Sequence, residues 1–125
     1  MTRVYLTVVE VVLIHFTAVE LRGGLHGIRD QGALESAVFR PQSGYYEDLL
    51  EEAAALFESL VNNHPFHDGN KRTGFVATNT FLRLNGYRIV VSADQGEQFL
   101  LKNLQGGTFR FEPIRDWLRS VVKPL

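Results

Sequence analysis

The chain contains no cysteine, which excludes a disulfide scaffold, a thiolate metal site and a cysteine nucleophile. It also lacks a surplus of positive charge. Thirteen Lys and Arg stand against fourteen Asp and Glu, a net charge of −1, whereas a duplex-binding domain ordinarily carries a basic excess. Direct binding of nucleic acid is therefore not expected. No apolar run is long enough to span a membrane. The best one, Val4 to Phe16, is broken by Thr7, Glu10 and His15 and has neither the basic start nor the small-residue cleavage site of a signal peptide. Internal repeats, low-complexity tracts and Pro/Gly/Ser-rich linkers are missing as well. What remains is 125 residues, 45% hydrophobic and 22% charged. That composition predicts one soluble domain over residues 1–125, expected in the cytoplasm.

The residues present read as a series of helices. Thr7 and Glu10 have the spacing of a capping box, predicting a helix over about residues 8–21 that stops at Gly23-Gly24. Glycines 23, 24, 27 and 32 mark a loop, followed by a short helix over 33–39 that ends before Pro41. Leu49, Leu50, Ala53, Leu56, Phe57, Leu60 and Val61 recur every three or four residues, predicting a central helix over 48–63 packed on more than one side. A second long helix runs over 70–84 to Asn85-Gly86, and the β-branched stretch 87–91 is extended. Asp94 and Glu97 offer a further capping box. Pro113 suits the first position of a last helix burying Ile114, Trp117, Leu118, Val121 and Val122. The expected class is mainly α, a compact single-domain bundle of about six helices with at most a short extended segment or flap.

One segment does not read as an ordinary connection: His64-Pro-Phe-His-Asp-Gly-Asn-Lys-Arg72, between the two longest helices. Pro65 discourages continuation of the first helix, and Asn70 is a natural N-cap for the second. A helix N-terminus presents free N–H groups and partial positive charge, hence an anion site. Lys71 and Arg72 in the first turn oppose the macrodipole, a local cost of about 0.3–1 kcal/mol each that an anion would offset. Asp68 suits a Mg²⁺ ion bridging phosphates, and His64 on the opposite lip can take a proton from a hydroxyl. Together these point to transfer of a phosphorus-containing group.

The same nine residues resemble the signature of the Fic/Doc superfamily, H-P-F-x-(D/E)-G-N-(G/K)-R, at every specified position. Residues 27–37, with Arg40-Pro41, resemble the flap and following helix of its Doc (death-on-curing) branch. The resemblance implies that His64 is the general base, Phe66 a structural anchor and Asp68 the Mg²⁺ ligand. Gly69, Asn70, Lys71 and Arg72 would hold the phosphates of ATP. The flap at Ile28, Arg29 and Asp30 would align the target by strand-like pairing.

Fic adenylyl transferases usually carry Gly at the position of Lys71 and a second arginine at the position of Phe75. Both departures resemble Doc toxins, kinase-like proteins that phosphorylate a threonine of elongation factor Tu. Gly69 departs the other way, since the best-known Doc loop has alanine there. The resemblance therefore implies a toxin kinase, with adenylyl transfer as the alternative. A catalytically silent antitoxin-binding module is the reading from another class, which loss of the base or the metal carboxylate would mark. An internal inhibitory motif is expected to be absent, because Thr108 to Glu112 is followed by Pro113 rather than Gly or Asn. A small Phd-like antitoxin acting in trans is expected instead.

Other polar residues have plainer readings. His15 is expected to be a satisfied, partly buried histidine, His67 an exposed one, and His26 a loop residue without an assigned contact. Glu47, Asp48, Glu51 and Glu52 complement a helix dipole. Arg115, Arg119 and Lys123 form a solvated face.

Overall fold

Helices begin in this protein where a side chain can accept from the first free N–H groups. The computed structural model describes residues 2–125. Its first helix, α1 (Val8–Arg22), opens on the capping box read from the sequence, with Thr7 and Glu10 each accepting from the other's backbone N–H. Asp30 caps α2 (Gln31–Phe39), which continues into a 3-10 turn at Arg40–Gln42. Asp48 caps α3 (Leu49–Asn62), and α4 (Asn70–Leu84) follows. α5 (Ala93–Gln105) and α6 (Phe111–Val121) complete the six helices. Strands β1 (Tyr87–Ile89) and β2 (Val122–Pro124) pair antiparallel, with Arg88 opposite Lys123. The class is mainly α, as expected.

Several boundaries differ from the expected ones, each for a local reason. α2 begins two residues early because Asp30 Oδ1 accepts from Ala33 N–H. The capping box of α5 is Ser92 with Gln95, not Asp94 with Glu97. α6 starts at Phe111, whose N–H donates to Glu58 Oε2 at 2.8 Å, so Pro113 falls inside the first turn rather than at its first position. Its missing N–H costs nothing there, since the first four helical N–H groups have no intrahelical partner. Val122 leaves the helix to pair with Ile89. Ile114 and Leu118 are fully buried, while Trp117, Val121 and Val122 are half-buried.

α3 is the axis of the core. Ala53, Ala54, Ala55, Leu56, Phe57 and Leu60 are at most 1% exposed, so the helix is covered on nearly every side. α4, α6, α2 and the 3-10 turn pack around it. Its carboxylates are paired rather than merely solvated. Glu52, 8% exposed, accepts from Arg3 at 2.7 Å and from the Tyr5 hydroxyl at 3.1 Å. Glu58 accepts from Arg40 at 2.7 Å while its other oxygen holds α6. Arg119 pairs with Asp48 at 3.3 Å, and Arg115 with Asp116 at 3.1 Å, on the solvated face of α6.

α3 and α4 pack tightly just beyond the loop that joins them. A Cβ on Gly74 would sit 2.7 Å from Val61 Cγ2 and 3.4 Å from Phe57 Cδ1. Val61 is buried and stiff at χ1, so it cannot swing aside. On an open helix Gly→Ala adds about 1 kcal/mol of stability. Gly74→Ala is expected instead to lose about 1–3 kcal/mol through overpacking. Chemical denaturation checks the sign, and Val61→Ala in the same chain should recover part of the loss.

Candidate active site

Residues 63–69 join α3 to α4 without helical or sheet structure of their own, yet nearly all their carbonyls have partners. Arg29 donates from Nη2 to the Asn63 carbonyl at 2.9 Å and from Nε to the His64 carbonyl at 2.6 Å. The N–H groups of Arg29 and Asp30 donate to the Pro65 carbonyl at 2.8 and 3.1 Å. The Asn70 amide spans Phe66, donating to its carbonyl and accepting from its N–H, each at 3.0 Å. His15 Nε2 donates to the Asp68 carbonyl at 2.7 Å, and Thr73 N–H donates to the Gly69 carbonyl at 2.9 Å.

The donors are treated in the opposite way. Among the described residues, none of the N–H groups of residues 68–72 donates to a protein group. These free donors surround the start of α4, where the helix dipole adds partial positive charge. The Lys71 and Arg72 side chains are exposed at the same turn. Gly69, at φ 75, supplies the left-handed turn into the helix. It is therefore Gly69, not Asn70, that caps α4. Asn70 is the first helical residue, and its buried side chain is committed to Phe66. Of the phosphate donors expected from Asn70, the backbone N–H is the free one.

Phe66, for which the resemblance implies an anchoring role, is buried, 1% exposed. The His15 ring stacks on it at 3.8 Å and 5°. His15 is itself 3% exposed. Since a carbonyl only accepts, Nε2 carries its proton, and burial pushes the imidazole below its ordinary value against the opposing pull of the Asp68 carbonyl. The sequence marked His15 as a satisfied core residue. That it holds the loop carrying Asp68 is visible only in the fold.

His64 is exposed and has φ 47, the only non-glycine residue with positive φ among the described residues. Asp68 is exposed too. Its Oδ2 accepts from Leu25 N–H at 2.7 Å, and Oδ1 has no protein partner among the described residues. No group of three or more His, Cys, Asp or Glu side chains among those residues is placed to hold a metal ion. A cation bound wholly by protein has no cage here. A single free carboxylate oxygen beside an anion site does fit Mg²⁺, which takes one or two carboxylates and fills its sphere from phosphates and water.

The flap lies alongside the loop. Ile28 bridges antiparallel to Phe66, with Arg29 N–H bonded to Pro65 and His67 N–H bonded to Gly27. In such a pair the N–H and C=O of Ile28 itself point away from the loop, leaving a free strand edge. The Asp30 side chain caps α2, while its N–H is bonded to the Pro65 carbonyl. Arg29 and Asp30 form no ion pair with each other. His26 turns back to Glu20 at 2.9 Å and stacks near Phe16, and His67 is exposed. Phe75 is half-buried, edge-on to Phe57 at 6.1 Å.

These features define a helical domain with a loop of unpaired N–H groups between α3 and α4. The chain belongs to the Fic/DOC family, whose model matches residues 5–82. It is 44% identical over 77 residues to "Toxin Doc" of Mycolicibacterium smegmatis, an alignment covering 58% of this chain and 59% of that relative. The chain thus spans less than two thirds of that protein. It is 30% identical over 116 residues to "Protein kinase doc" of Escherichia phage P1, covering 90% of each. No helix among the described residues is long and apolar enough to cross a membrane.

His15→Phe keeps a ring against Phe66 but leaves the Asp68 carbonyl without its donor, with an expected loss of about 1–3 kcal/mol. The stability carried by neutral His15 should be complete above its ordinary value of 6.5 and decline as pH falls toward the lower native value. Thermal melts of the metal-free protein against pH check this, and His15→Phe should flatten that acid limb.

Proposed function

We propose that the protein is the toxin of a toxin–antitoxin pair and a protein kinase of Doc type. It would transfer the γ-phosphate of Mg-ATP to a Thr or Ser hydroxyl of a translation factor such as elongation factor Tu. The observation that carries this reading is the asymmetry of residues 63–72. Six of the seven carbonyls of residues 63–69, all but that of His67, are occupied, while the N–H groups of 68–72 are free beside Lys71 and Arg72. The family membership and the names of the two relatives support it.

In this reading the N–H groups of Gly69 and Asn70 hold the phosphates, with Lys71 and Arg72 as flanking charges. Mg²⁺ at Asp68 would neutralise phosphate charge and orient the transferred group. The target segment lies along the free edge at Ile28. The His64 imidazole takes the hydroxyl proton as the hydroxyl oxygen bonds to the γ-phosphorus, and the bond from phosphorus to the bridging oxygen breaks to release ADP. Phe75 favours this over adenylyl transfer. Where Fic adenylyl transferases usually carry a second arginine, this chain has an aromatic ring packed on Phe57.

An antitoxin acting in trans has a suitable surface. An apolar groove of about 330 Å³ runs between α1 and α4, lined by Leu13, Thr17, Leu21 and Val76 with Arg72 at its rim. Leu13 is 60% and Leu21 76% exposed, unusual for one helix of a small domain. An amphipathic helix of the antitoxin would cover them.

Elongation factor Tu incubated with the protein, Mg²⁺ and γ-³²P-ATP should become labelled. His64→Ala should lower the rate by about 10²–10⁴-fold, and Asp68→Ala should abolish labelling along with its Mg²⁺ dependence. Label arriving only from α-³²P-ATP would replace this reading with adenylyl transfer, for which Gly69 is the Fic-type residue.

A further inference from the structure

Arg29 touches three consecutive carbonyls around the residue read as the general base. Its guanidinium takes those of Asn63 and His64 at 2.9 and 2.6 Å, and its own N–H takes that of Pro65 at 2.8 Å. The first two lie at the C-terminus of α3, where carbonyls run out of intrahelical donors and carry the negative end of the dipole. A planar guanidinium suits such a pair, because its fixed fork meets two acceptors at once while its charge opposes the dipole. Between them the chain makes its left-handed step at His64, φ 47. A non-glycine residue there is strained by roughly 1–3 kcal/mol and persists only where its surroundings hold it.

From this we infer that Arg29 is a positioning residue for His64 and not a contact to the protein target. The inference rests on the reading of His64 as general base. Sitting on the flap next to Ile28, Arg29 looks by sequence like part of the target-aligning edge. Its side chain instead reaches back to the carbonyls of Asn63 and His64, and the backbone conformation that aims the imidazole depends on it. The segment that receives the target and the backbone that carries the base are thereby one hydrogen-bonded unit.

The test compares Arg29→Met and Arg29→Lys in the full chain. With elongation factor Tu as acceptor and γ-³²P-ATP, Arg29→Met should lower kcat about 10²-fold, the effect of misplacing a reacting group by about 1 Å, with KM for the acceptor changed less than about twofold. Arg29→Lys, which keeps one donor and the charge, should recover part of kcat. A raised KM with unchanged kcat would make Arg29 a target contact and overturn the inference. Independently of activity, the NMR signals of the His64 imidazole and of the Phe66 and His67 amides should shift in Arg29→Met, and unchanged signals would also overturn it. Should the wild type transfer no label to any acceptor, the proposed function fails, while the NMR comparison still decides whether Arg29 sets the geometry of His64.

Discussion

Backbone carbonyls that cannot face one another must be satisfied from elsewhere in the chain, and that requirement organises the whole site. The partners of residues 63–69 come from α1 through His15, from the flap through Arg29 and Asp30, and from α4 through Asn70 and Thr73. None of these contacts is large in itself, at about 0.5–1.5 kcal/mol net for a typical hydrogen bond. Their combined effect is geometric. His15 ties the loop to α1, which packs on α4, and Asn70 and Thr73 tie it to α4, which packs on α3, so an exposed segment is held from two helices of the bundle as well as from the flap. Preorganised donors act on charge without the reorganisation that water would need, which is what a phosphate-handling loop requires.

The same unpaired helix ends explain the charge pattern. The first turns of α1, α3, α5 and α6 carry the acidic residues Glu10, Glu51 and Glu52, Asp94, and Glu112, complementing the dipole. α4 breaks the rule with Lys71 and Arg72. α2 has no acidic residue in its first turn but is capped by Asp30, so among the six helices α4 alone has cations in its first turn, and it does so beside a loop of free N–H groups. Near-neutral net charge is consistent with cations gathered at one helix terminus instead of over a face.

Much of this was legible in the sequence, because the signals were local. Periodicity found α3 and α4, the Thr7–Glu10 box found α1, and the nine-residue motif located the loop. The failures were also local ambiguities. Ser92–Gln95 and Asp94–Glu97 both have capping spacing, and only the surrounding fold selects the first. Asn70 is a better N-cap than glycine by propensity, yet the left-handed turn at Gly69 puts Asn70 one residue inside the helix and frees its amide to close on Phe66. What pattern could not reach was contact at long range. His15 lies 53 residues from Asp68, and Arg29 lies 35 from His64. No spacing rule joins residues so far apart.

The position of Phe75 shows how packing and chemistry constrain each other on α4. It lies three and four residues beyond Arg72 and Lys71, hence on their side of the helix one turn further on. One turn on, Phe75 is half-buried where it meets Phe57, and a Cβ on Gly96 of α5 would lie 3.2 Å from its ring. An arginine there would carry its charge into a contact built for an aromatic ring, and would need an anion reaching down the helix to balance it. With a ring instead, no cation follows Lys71 and Arg72 along α4 until Arg83 in its last turn. In the kinase reading proposed above, a phosphate chain laid along α4 would meet Lys71 and Arg72 at its near end, which favours a nucleotide that presents its terminal phosphate to the N-terminus of α4.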